Sequence, residues 1–203
     1  MHIFMKKSAL VRVLFCTAAL FYSTLASSVL AQEVVVNGGF ESGSFSPGWT
    51  FSDSSGFTNV GSDPAFAHSG TYHANLGAEG VLGSLSQTLS TTPGGTYTLS
   101  FWLANDSGVG PNEFDVLWDG AATPISLTAQ PVFDYTEFTL SVVATGASTS
   151  LEFRYQNDDD FFRLDDVSVV PEPSVTWLVL PSIGILCLVH YRGAKRRRLS
   201  VPL

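Results

Sequence analysis

Thr96–Ala104 reads TYTLSFWLA, and every second residue in it is large and apolar. Tyr97, Leu99, Phe101 and Leu103 fall on one face and Thr98, Ser100 and Trp102 on the other, the period-two pattern of a strand with one side in a core. A helix over the same residues would scatter those side chains around its circumference. The pattern recurs downstream. Glu113–Trp118 places Phe114, Val116 and Trp118 inward, and Asp119-Gly120 supplies a tight-turn signal. Glu137–Val143 offers Phe138, Leu140 and Val142, Leu151–Tyr155 offers Leu151, Phe153 and Tyr155, and Arg163–Val169 ends with Val167 and Val169. Gly, Pro, Asn, Asp and Ser clusters separate these runs about every ten residues, and no segment between them carries a 3.6-residue stripe. Residues 32–169 therefore predict an all-β domain, a jelly-roll β-sandwich large enough to fold on its own core.

Charge divides the 203-residue chain into three. Residues 1–31 carry Lys6, Lys7 and Arg12 and no acid. Residues 32–169 carry seventeen Asp and Glu against Arg154 and Arg163, a balance of −15 within an overall −8. The tail gathers Arg192, Lys195, Arg196, Arg197 and Arg198. A body this acidic is repelled by phosphate backbones, which excludes nucleic acid as a partner.

The first flank has the order of a secretory signal peptide: basic residues, an apolar run from Val13 to about Leu25, then small residues up to Val29-Leu30-Ala31, with cleavage expected after Ala31. Small and hydroxylated residues break that run short of the roughly 20 needed to span a bilayer, which argues against a retained anchor. Cys16 lies in this signal and Cys187 in the terminal apolar stretch, so the body has no disulfide framework. Two prolines one residue apart in Val170-Pro171-Glu172-Pro173 mark a boundary at which sheet and helix are both expected to stop. Beyond it, Val175–Tyr191 is an apolar run of 17 residues, about 25 Å as a helix, followed by the basic cluster. These residues predict a single transmembrane helix with its basic end on the cytoplasmic side, against the alternative of a buried core helix, which its place after a complete β domain disfavours.

Val-Pro-Glu-Pro-Ser, a short apolar helix and an Arg-rich end, in that order over 170–198, resemble the PEP-CTERM sorting signal of bacterial surface proteins. The resemblance implies that exosortase, a membrane protease-transpeptidase, is a partner. It further implies that Pro171, Glu172 and Pro173 are the recognition element, and that the helix at 175–191 holds the chain in the membrane only until processing. The implied destination is the cell surface or biofilm matrix.

In the body, VVVNGGFESGSFSPGW at 34–49, HSGTYHANLG at 68–77 and FFRLDDVSVV at 161–170 resemble galactose-binding-like carbohydrate-binding modules. That resemblance implies a structural calcium ion held by Glu41 with Asp165 or Asp166 and backbone carbonyls, hard oxygens that suit Ca2+. The plainer alternative leaves these carboxylates solvated or hydrogen-bonded at strand ends.

For a sugar, Trp102 is out of phase with the core residues of its strand, and the corresponding positions on neighbouring strands are Glu113, Asp115 and Leu117, then Glu152, Arg154 and Gln156. An aromatic plate beside hydrogen-bonding groups is how a shallow site takes a sugar ring, which makes Trp102, Asp115, Arg154 and Gln156 the expected ligand-binding residues. An outward Trp that merely covers a loop is the alternative. Catalytic signatures are missing: no Gly-x-Ser-x-Gly, no His-Glu-x-x-His and no phosphate-cradling loop. His68 and His73, five apart, fall on opposite faces and read as structural; Asp158-Asp159-Asp160 reads as a solvated turn; Asn105-Asp106-Ser107 matches a glycosylation acceptor. The sequence thus predicts an exported, non-enzymatic β-sandwich that binds extracellular polysaccharide, or alternatively a purely structural matrix protein.

Overall fold

The computed structural model describes residues 32–173. The expected signal peptide at 1–31 and the membrane helix at 175–191 lie outside the described residues. Ten strands form the body: β1 Thr50–Ser52, β2 Asn59–Gly61, β3 His73–Leu76, β4 Gly83–Ser90, β5 Thr96–Asn105, β6 Asn112–Trp118, β7 Ala121–Thr128, β8 Phe133–Val143, β9 Ser148–Asn157 and β10 Phe162–Pro171. They make two five-stranded sheets, ordered β1-β4-β9-β6-β7 and β2-β3-β10-β5-β8, in which every pairing is antiparallel. The all-β sandwich expected from the alternation is what these residues form.

The alternation becomes the core directly. Leu99, Phe101 and Leu103 of β5 have no exposed surface, and Phe101 meets Phe114 of β6 and Phe153 of β9 across the gap between sheets. Burying a side chain of this size contributes roughly 1.5–3 kcal/mol, so the aromatic layer alone anchors one sheet to the other. Asp119 and Gly120, with φ of 54° and 76°, form the left-handed turn that joins β6 to β7.

Strand β10 departs from regular pairing in the middle and from expectation at its end. Its register against β5 slips between Asp165 and Ser168. One extra residue there lets Leu164 and Val167, three apart, both enter the core, while Asp165, opposite the outward Trp102, is buried beneath His68 and Ser69, and Asp166 takes a φ of 48°. The sheet also does not stop before Pro171, as the two prolines predict. Pro171 pairs with Tyr97, and Glu172 N–H donates to Thr96 O at 2.9 Å. Pro171 therefore occupies a non-bonded position of the ladder, where its missing N–H points away from β5 and nothing is lost.

Residues 34–38 run antiparallel beside β10, with Val34 N–H donating to Val169 O and Val167 N–H to Gly38 O, both at 3.0 Å. Glu33 caps this pairing by accepting from Val169 N–H at 2.8 Å and from the Ser168 hydroxyl. The first and last described residues thus leave side by side from one end of β10.

Candidate functional site

The residues expected to take a sugar do not come together. Trp102 lies on β5 in one sheet; Asp115 on β6 and Arg154 and Gln156 on β9 lie in the other, where Asp115 pairs with Arg154 and Glu113 with Gln156. Alternation gave the correct outward phase for each but could not reveal which sheet a strand joins. Trp102 is moreover covered. The His68 ring stacks on it at 3.9 Å with 14° between planes, and Tyr135 stands edge-on to His68. Arg154 Nε donates to Glu152 at 2.8 Å, and Gln156 donates to Asp158 at 2.8 Å.

The acids expected to hold calcium are neighbours, but their carboxylates do not converge: the Glu41 carboxylate turns to the N–H groups of Thr71 and Tyr72. A Cβ added at Gly39 would lie 3.3 Å from Asp166 Oδ1, 3.7 Å from Asp165 Oδ1 and 3.8 Å from the Glu41 Cγ methylene. Their oxygens, however, face N–H and O–H donors. Asp165 accepts from His68, Ser69 and Asp166 N–H at 2.8–3.2 Å; Asp166 accepts from the Ser69 hydroxyl at 2.8 Å and faces His68 Nδ1 at 2.6 Å; Glu41 accepts from Thr71 and Tyr72 N–H at 2.9 Å. Among the described residues no group of three or more His, Cys, Asp and Glu is placed to hold a metal ion. In this arrangement the donor chemistry suits calcium but the geometry serves to pin residues 68–72 to the β10 bulge. Burial pushes the Asp165 carboxyl up to about 6, with Asp166 adding repulsion, against the pull of its N–H donors.

Other singled-out residues take structural places. His73 is buried at the start of β3 and burial lowers its pKa, keeping it neutral, while His68 precedes the strand in a loop. Asp158 accepts from Gly80 N–H and Asp159 from Ser107, so that turn is tied down rather than merely solvated. Asn105 has no exposed surface, and its side-chain nitrogen donates to Gln130 O and Pro131 O, which denies a glycan its point of attachment in the folded body.

The opening with the chemistry of a ligand site lies elsewhere, where the edge strand β1 of one sheet and the edge strand β2 of the other part. It has a volume of about 640 Å³ and is walled by Gly43–Ser46, Trp49–Phe51 and Thr58–Val60. Its apolar side is Phe45, 4.8 Å from Phe51, and Trp49, which is backed by the buried rings of Phe40 at 5.8 Å and Phe153 at 6.0 Å. Phe51 keeps 45% of its surface exposed, so one ring of this side faces solvent. Ser44, Ser46, Thr50, Thr58 and Asn59 complete its lining, and no ionisable side chain belongs to it.

The wall at Thr58–Val60 is held from below. Asp53 accepts from the Ser55 hydroxyl at 2.6 Å, Ser55 N–H at 2.8 Å and Thr58 N–H at 2.8 Å. Burial alone would raise this carboxyl, but the Ser55 and Thr58 bonds outweigh it and hold the pKa at about 2. The Thr58 hydroxyl then donates to Tyr155 at 3.0 Å, and burial drives that phenol up to about 12, so it stays a neutral partner.

Sequence reasoning missed this opening. The signal was Phe45, Trp49 and Phe51 within seven residues, interleaved with Ser, Pro and Gly.

No protein-family model matches the chain, and no curated protein matches it. Solved structures do. TmCBM61, determined in complex with beta-1,4-galactotriose, is 22% identical, with 70% of this chain covered, 100% of that one and a TM-score of 0.57. The body has the fold of carbohydrate-binding modules. The CBM22-1 xylan-binding domain of Paenibacillus barcinonensis Xyn10C is 14% identical over 71% of this chain and 97% of that one, with a TM-score of 0.53. The enzymatically active domain of bacteriophage CBA120 tailspike protein 4 matches over 69% of this chain but 21% of its own, at 16% identity and a TM-score of 0.52. At these identities the likeness is one of architecture, and the residues that bind in those proteins are not transferred to this one.

Proposed function

We propose that the body is a non-catalytic carbohydrate-binding β-sandwich that takes a neutral glycan in the opening between β1 and β2. One observation carries the reading: an uncharged opening with Phe45, Trp49 and Phe51 on one side and serine, threonine and asparagine among its lining, the combination that suits the apolar face and hydroxyls of a sugar ring. Neutrality of the ligand follows from charge. Both arginines of residues 32–169 are paired, Arg154 with Glu152 and Arg163 with Asp106, inside a body of balance −15, so a polyanionic glycan finds no partner among them. Galactan and xylan are the first probes, because carbohydrate-binding modules solved with galactotriose or named for xylan share the fold.

The wider setting is part of the same proposal. The chain is exported, held by its terminal helix, recognised by exosortase at Pro171-Glu172-Pro173 and delivered to an extracellular polysaccharide. What supports it is the order of the sorting-like elements in the sequence. Calcium held by Glu41 with Asp165 or Asp166 is a further proposal, supported by the nearness of Asp165 and Asp166 oxygens and the Glu41 side chain to Gly39. It requires some of their oxygens to turn from N–H donors to the ion.

The test is affinity electrophoresis of the purified protein through gels containing galactan, xylan or a uronic acid polymer. Retardation by a neutral polymer, lost in Phe51→Ala and kept in Trp102→Ala, is expected, since Phe51 is the ring that faces solvent and covering a side chain of its size contributes roughly 1.5–3 kcal/mol. Retardation lost in Trp102→Ala instead would move the site to the β5 face. No retardation by any polymer would favour a purely structural matrix protein.

A further inference from the structure

The residues that would be read by a processing enzyme are also claimed by the fold. Glu172 is bonded at three points. Its N–H donates to Thr96 O at 2.9 Å, and its Oε1 accepts from the hydroxyls of Ser141 on β8, at 2.9 Å, and Thr98 on β5, at 3.3 Å. Thr98 and Ser141 are themselves cross-strand partners, so the carboxylate is received by a pair of hydroxyls on the outer face of the sheet. Pro171, next to it, is the last residue of β10 and faces Tyr97.

A peptidase that takes an extended segment binds it largely through main-chain groups, as an added strand does. At Val170–Glu172 one edge of that main chain is already spent on β5, and the one charged side chain of the segment is already occupied. The same residues cannot serve both partners at once.

We propose that the folded body latches its own sorting motif through Glu172, so that Pro171–Pro173 become available to the processing enzyme only when this end of β10 comes off β5. This rests on the reading of residues 170–198 as a sorting signal. Its consequence is that processing runs at a rate set by the fraction of molecules with the latch open, because apparent affinity is reduced by the population of the competent state. Thr98 and Ser141 control that fraction although neither belongs to the motif. They are latch residues; they touch no substrate atom.

The experiment follows the full chain by pulse-chase in its native host, with mass analysis of the mature C-terminus. Thr98→Val combined with Ser141→Ala is expected to speed processing roughly three- to tenfold, the range reached by removing two exposed hydrogen bonds to a carboxylate. Thr139→Ala, which lies on the same strand as Ser141 but does not contact Glu172, is expected to process at the parent rate. Amide hydrogen exchange on the same proteins is expected to show Glu172 N–H protected in the parent and less protected in the double variant. Processing at the parent rate in the double variant, with protection lost, overturns the latch. Absence of any cut near residues 171–173 in the parent overturns the sorting reading itself, and the latch with it.

Discussion

Asp53→Asn measures how much the wall of the proposed sugar site depends on one carboxylate. Held at about 2 against an ordinary value of 3.8, the group carries close to two pK units of native-state preference for its charged form. At 1.36 kcal/mol per unit, discounted for the solvent that screens this partly exposed carboxylate, this amounts to about 1–2 kcal/mol at neutral pH. Because the folded pKa is the depressed one, the contribution is complete above the unfolded value and is lost as pH falls from about 4 towards 2. At pH 3 the same two values leave roughly half of it. An amide at position 53 keeps the size of the side chain and one acceptor but loses the charge that strengthens the Ser55 and Thr58 bonds. Urea unfolding at pH 7 and pH 3 reads both numbers. The expected result is a loss of about 1–2 kcal/mol at pH 7 that shrinks to about half at pH 3, together with weaker glycan binding as Thr58 and Asn59 loosen. A loss that is the same at both pH values would refute the electrostatic argument, and full stability at pH 7 would refute the role of Asp53 altogether.

Asp165, lifted to about 6 by burial, has the opposite sign: its ionisation disfavours the fold, so its part of the stability is greatest below pH 4 and falls away as pH rises to 6 and beyond. NMR titration of its carboxyl carbon in calcium-free protein is expected to give a midpoint near 6, and a midpoint below 4 would contradict this. Calcium added to chelator-treated protein is expected to raise the melting temperature at pH 7, and Glu41→Ala to remove the increment; an unchanged melt in the parent discards the ion. Phe101→Ala, which removes the ring stacked on Phe138 and packed on Phe114 and Phe153, is expected to cost about 3–5 kcal/mol in denaturant unfolding, and a loss under 1 would show that the layer repacks.

The strands with strict alternation were legible because a half-buried strand writes its burial into its own sequence. Tyr97, Leu99, Phe101, Leu103, Leu151, Phe153 and Tyr155 all came inward as the period requires. What alternation does not contain is the partner of a strand. Trp102 and Arg154 share a phase, yet β5 and β9 belong to different sheets, so an outward face assembled from the sequence mixed the two outsides of the sandwich. The β10 bulge was hidden for a related reason, since Leu164-Asp165-Asp166-Val167 reads as a break in the pattern until one residue is allowed to leave the ladder. The opening between β1 and β2 was hardest of all. Its strands are three residues each, too short to carry a period, and Phe45 and Trp49 reach it from a loop.

Where a sugar touches this protein can be mapped residue by residue. Isotope-labelled protein is titrated with beta-1,4-galacto-oligosaccharide or xylo-oligosaccharide, and backbone and aromatic NMR shifts report the contact. Shifts concentrated at Gly43–Ser46, Trp49–Phe51 and Thr58–Val60 are the predicted result; shifts centred on Trp102 or on Asp115 and Arg154, or none with any neutral glycan, would contradict it.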